Sequence, residues 1–227
     1  MKKIFLYAMI AFVSIALMSC NKDKNNVDDP TTENPYAYLR LSDITPLHMI
    51  SLAKAEEKLA RMGYNGGWQK YISDGETYEA YLYTSVSKKD SLFLSPDADG
   101  IIESITYFAK NKGVIPSDAK GWLTHIPASV TIPTWKDSLP FQGAGVGNVE
   151  CNDGAYSQYV SALDNLVSGM DVTAIWGDPM VGGNMPTGDY CGIFMSYYYM
   201  NNEDCAYLVL SVEHHVQQGE PESPMGN

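Results

Sequence analysis

The sequence predicts an α+β fold made of two successive helix-then-antiparallel-sheet units, residues 36–127 and 128–216. Two stretches place apolar residues at helical spacing and close on a glycine. Each is followed by a Gly/Trp segment, "GYNGGW" at 63–68 and "GMDVTAIWG" at 169–177, and then by tyrosine-rich runs that read as strands. The two halves share an order of elements, not residues, so a diverged duplication rests on that order alone.

The first helix follows Thr45-Pro46, because threonine suits an N-cap and proline tolerates the first turn, where its missing N–H has no partner to lose. Leu52, Ala55, Leu59 and Met62 share one face, and Gly63 stops the helix. Asn152 or Asp153 caps the second helix. Its stripe is Tyr156, Tyr159, Val160, Leu163, Leu166 and Val167, and Gly169 ends it. Strands are expected at 78–86, 91–95 and 101–109 in the first unit and at 190–200 and 205–212 in the second. Residues 116–147 are rich in Pro and Gly and read as connecting chain with a short helix near Lys120; the polar tail 217–227 is expected to fray.

Ahead of the folded part, Lys2 and Lys3 precede an apolar run at 4–18, the layout of a secretory signal and too short for a bilayer span of roughly 20 residues. Leu17-Met18-Ser19-Cys20 resembles the lipobox of bacterial, Bacteroidota-type lipoproteins. The resemblance implies cleavage of 1–19, diacylation of the Cys20 thiol and acylation of the new amine. A single acyl chain binds membranes at only about 10⁴ M⁻¹, whereas two or three anchor stably. Residues 20–35 would then be a polar tether. In the same family, acids close behind the cysteine accompany outward display; here Asp23, Asp28 and Asp29 are spread out. The expected location is the cell envelope, lipid-anchored in the outer membrane, periplasmic or surface-exposed.

The formal charge is −12, and losing Lys2 and Lys3 with the leader moves it to about −14. Such a field repels phosphate backbones, and the sequence has no basic stripe, so nucleic acid is excluded as a partner. Beyond Cys20 the cysteines are Cys151, Cys191 and Cys205, which allow one disulfide at most and are too sparse for a structural zinc site.

Several motifs reduce to backbone chemistry. "SPDADGIIESIT" at 95–106 sets Asp97 and Asp99 at the third and fifth positions of a calcium loop and Gly100 at its turn, but the first acid and the final Glu are missing, so it reads as a hairpin turn. "GAGVG" at 143–147 lacks a lysine and a preceding buried strand and reads as a turn. His214 and His215 point to opposite faces of a strand and cannot chelate together. No hydrolase motif is present, and neither cofactor nor resident metal is implied.

The helix "QYVSALDNLVSG" and the strand "YLVLSVEHHV" resemble the corresponding segments of FKBP-type prolyl isomerases. The resemblance implies Tyr159 at the floor of a proline pocket, with Ala155 and Tyr156 in the Val-Ile positions. Gln158 and Leu166 depart from the pattern. A prolyl isomerase or chaperone of the envelope is accordingly the alternative function.

The leading expectation is a non-catalytic binding or assembly module for glycan or protein. It rests on sixteen tyrosines, four of them Tyr190, Tyr197, Tyr198 and Tyr199, with Tyr207 across the turn, because tyrosine joins an apolar ring to a polar tip. A four-residue loop at 201–204 sets Met200 opposite Cys205 and Cys191 opposite His214. Cys191 and Cys205 would then lie roughly 30 Å apart, beyond disulfide reach. This register turns Ile193, Met195 and Tyr197 toward a core, and Phe194, Tyr198 and Tyr207 to the other face. That second face is the expected binding site.

Overall fold

The structure, a computed structural model, describes residues 38–73, 76–87, 90–112, 116–152, 154–167, 169–177, 189–200 and 205–215. The expected leader, Cys20, the tether and the tail lie outside these residues.

Among the described residues the α-helices are short: α1 (Leu41–Ile44), α2 (Leu52–Arg61), α3 (Pro116–Leu123) and α4 (Tyr156–Ala162). Ten strands dominate the described residues. They are β1 (Tyr64–Ser73), β2 (Glu76–Ser85), β3 (Asp90–Pro96), β4 (Ile102–Lys112), β5 (Ser129–Val130), β6 (Leu139–Val146), β7 (Val149–Cys151), β8 (Val172–Gly177), β9 (Tyr190–Met200) and β10 (Cys205–His215). The fold is α+β, as its sequence predicts.

All ten strands join one sheet in the order β1-β2-β3-β4-β10-β9-β8-β6-β5, with β7 also on β6. The seam between the halves is the antiparallel pair β4–β10, which runs from Cys205 opposite Lys112 to Glu213 opposite Ser104. A single apolar cluster therefore underlies both halves, with Leu59, Leu92 and Ile105 from one and Trp176, Ile193 and Leu210 from the other.

The β9–β10 register is the expected one throughout, from Cys205 opposite Met200 to Cys191 opposite His214. The alternation that predicts it also predicts the core face correctly: Ile193, Met195, Tyr197, Leu208, Leu210 and Val212 are all buried. Cys191 is a free buried thiol, as is Cys151.

Strands β1, β5, β6, β7 and β8 form where the sequence predicts none. The Gly/Trp segments become β1 and β8, and "GAGVG" lies mostly within β6, with only Gly147 (φ +56°) at a turn. Glycine weakens a strand by propensity, yet here neighbouring strands close in on it. A Cβ on Gly66 would sit 1.9 Å from the Leu82 carbonyl oxygen, and one on Gly145 3.3 Å from Thr173 Oγ1.

The helices are shorter than the apolar stripes imply. Thr45–Leu47 forms a 3₁₀ turn continuous with α1, the chain kinks at Met49, and α2 starts at Leu52. Gly63 (φ +83°) ends α2 as expected. At α4 the N-cap position is Ala155, without a side-chain cap, in place of Asn152 or Asp153; a 3₁₀ turn at Leu163–Asn165 finishes it. Asp97 builds the β3–β4 turn by accepting hydrogen bonds from the Asp99 and Ile101 N–H groups, at 2.9 and 2.8 Å.

Buried polar groups fasten the first residues onto the sheet and α3. The Leu39 N–H donates to the Tyr107 hydroxyl and its carbonyl accepts from Trp122 Nε1. His125 Nε2 accepts from the Leu41 N–H, so its proton sits on Nδ1, which donates to the Trp122 carbonyl. This histidine is a neutral clasp. Burial holds its pKa below the usual value.

Candidate binding surface

β1 is an edge strand, and Trp68 on it is 52% exposed, the one exposed aromatic among those whose side chains the structure describes. Trp68 faces Tyr81 across the β1–β2 pair. Their rings are 4.9 Å apart and 59° from parallel, which makes a corner of indole and phenol rather than a flat stack. Side chains two residues apart share a face, so the next pair along is Lys70 and Glu79, an ion pair at 2.5 Å that is well exposed. On the other side of the corner stands Tyr83, whose hydroxyl donates to Glu56 Oε1 at 2.8 Å.

The local backbone makes this presentation possible. Gly66 leaves no room for a Cβ, and Gly67 has φ +153°, so both positions before Trp68 favour glycine. Met62 and Val86, also exposed, lie by Gly63, roughly 15 Å away along the strand. The platform is small and holds both donors and acceptors.

The face expected to bind is built differently from its prediction. Tyr207 is 1% exposed, and Phe194 and Tyr198 are half-buried, so Phe194, Tyr198 and Tyr207 do not form the open patch that alternation implies. Phe93, Phe108 and Val209 make a second apolar cluster there, with Leu82, Ala80 and Tyr198 packed against it. Thr106 and Ser211 pair their hydroxyls at 2.8 Å across the β4–β10 seam. A period-two pattern assigns residues to a face but does not say what β3 and β4 will bring alongside.

The residues singled out by the prolyl-isomerase resemblance are also interior. Tyr159 is fully buried, stacks on Phe141 at 5.5 Å, and donates to the Leu123 carbonyl. Tyr156 donates to the Ile126 carbonyl and Trp176 Nε1 to that of Pro127, while Ala155 caps α4. Tyr159, Tyr156 and Trp176 thus all spend their polar atoms on carbonyls of the 123–127 segment.

Burial and the Glu213 charge push the Cys191 thiol up to about 12, and burial raises Cys151 as well, so neither is a thiolate at neutral pH. Among the described residues no group of three His, Cys, Asp or Glu side chains is placed to hold a metal, and no helix is long and apolar enough to cross a membrane. Comparison with protein-family models, with curated proteins and with solved structures finds no match.

Proposed function

We propose that this protein is a lipid-anchored lipoprotein of the cell envelope, held at the outer membrane through acyl chains on Cys20, and that it acts as a non-catalytic binding module for an uncharged glycan. The observation that carries the reading is the Trp68–Tyr81 corner, exposed at an edge strand and flanked by the Lys70–Glu79 pair. A sugar ring offers a C–H face to an indole and hydroxyls to neighbouring charges. The opposed charges of Lys70 and Glu79 supply a donor and an acceptor without net charge. A protein partner is less favoured, because stable protein interfaces bury about 800 Å² on each side and a two-ring corner is much smaller.

The test is binding of the secreted-form protein (residues 21–227) to immobilised neutral polysaccharides, wild type against Trp68→Ala. Loss of retention in the variant, with an unchanged circular dichroism spectrum, supports the reading. Equal retention of the two proteins rejects it. The anchor is tested separately by fractionating cells that express Cys20→Ser.

A further inference from the structure

We propose that Met49 and His214, with Cys191 beside them, form a binding site for a soft monovalent metal ion, Cu(I) or its analogue Ag(I). The first observation is backbone strain. Met49 has φ +56°, and among the described residues it is the only non-glycine in the left-handed region. Such a conformation is strained and persists only where its surroundings impose it. Here the Met49 N–H donates to the Ile102 carbonyl, the Ile102 N–H to that of Ile50, and the Leu52 N–H to that of Gly100. The kink is pinned to the start of β4.

The second observation is what the kink does. It sends the Met49 thioether to the side chain of His214 on β10, where Sδ lies 2.9 Å from Nδ1. Thioethers ordinarily meet aromatic rings with the sulfur about 5 Å away, and they are weak hydrogen-bond acceptors. The contact is an N–H···S hydrogen bond in which the sulfur can only accept, so the two atoms become side-by-side soft-metal donors when the imidazole proton moves to Nε2. A third stands opposite His214 in the β9–β10 ladder: Cys191, whose Cβ is about 5 Å from that of its cross-strand partner.

These donors are buried, with one indole and one imidazole against His214 and the Glu213 carboxylate near Cys191. His214, Cys191 and His48 are buried, and the Trp135 ring lies 5.0 Å from that of His214. The His48 ring is 5.6 Å from His214, but its nitrogens serve elsewhere: Nε2 donates to the Glu103 carbonyl and Nδ1 accepts from the Thr134 hydroxyl. It is a neutral neighbour and adds no charge. Thioether, thiol and imidazole as donors select Cu(I) over the harder divalent ions, which want carboxylates or more nitrogen. Binding at Cys191 exchanges its S–H proton for the metal and releases that proton to solvent, with no change of oxidation state.

The experiment is an anaerobic titration of the full chain with Ag(I), followed by Trp fluorescence, and with Cu(I) in competition with a chromophoric chelator. One site is expected, with quenching carried by Trp135 and lost in Trp135→Phe. Met49→Leu, which keeps side-chain volume, and Cys191→Ser should each weaken binding at least tenfold with the fold retained, and zinc should not compete. If the wild type binds no more tightly than Met49→Leu, the contact between Met49 and His214 is packing alone and the proposal fails.

Discussion

Tyr207 lies flat on Tyr198 across the β9–β10 ladder, the rings 4.9 Å apart and 4° from parallel. Tyr207 is the inner member of this stack and Tyr198 the outer, so the two should differ in stability cost. Tyr207→Ala should lose about 3 kcal/mol, the order expected of a buried aromatic truncated to alanine, and Tyr198→Ala roughly half of that. Urea melts decide it. If both substitutions prove nearly neutral, the face is open to solvent and the burial of Tyr207 is wrong.

Trp68 should behave in the opposite way. Its ring touches Tyr81 but is half solvated, so Trp68→Ala should change stability by no more than about 1 kcal/mol while removing glycan retention. A large drop in melting temperature would show that the indole serves packing.

Gly66 carries a sharper expectation. A Cβ there meets the Leu82 carbonyl oxygen at 1.9 Å, and backbone cannot step aside as a flexible side chain can. Gly66→Ala should cost roughly 2 kcal/mol or more through displacement of β1. Ala at Gly63, where a Cβ meets nothing, should suffer only from φ +83°. Equal melting temperatures for wild type and Gly66→Ala would contradict the β1–β2 geometry.

Acid should loosen the clasp at His125. Burial lowers the pKa of this imidazole from 6.5, so between that value and the lower folded-state pKa the unfolded chain binds the proton and the folded chain does not. Stability from this group is therefore full above about pH 6.5 and falls as pH drops below it. Denaturant midpoints between pH 7.5 and 5 should decline in the wild type and more shallowly in His125→Gln. An identical slope in the two proteins would remove His125 from the account.

How much of this was legible in the sequence differs by element. The β9–β10 hairpin was readable to the residue, because a long alternating pattern around a polar four-residue loop admits one register in which the apolar side chains share a face. Strands β1 and β8 were hidden, since Gly66, Gly67 and Gly177 are poor strand formers that pairing with neighbouring strands holds in the sheet. The candidate binding surface was missed for a related reason. Sixteen tyrosines drew the reading to Tyr198 and Tyr207, whereas the exposed ring belongs to Trp68 in "GYNGGW", and the pair of glycines before it was the available signal. Met49 was invisible altogether, because the helical stripe runs through it and only the kink sets it apart.

The place of β10 bears on how the chain acquires its structure. It is the last of the ten strands in chain order, yet it lies in the interior of the sheet between β4 and β9. Partners such as Thr106 and Ser211 are 105 residues apart, and contacts of such separation form slowly. Until residues 205–215 are available, β4 presents an unpaired edge eleven residues long with Phe108 on it, a template for association with other chains. A chain stalled or clipped before residue 205 would expose that edge permanently, so productive folding of this protein depends on its last strand arriving while the first half is kept from aggregating.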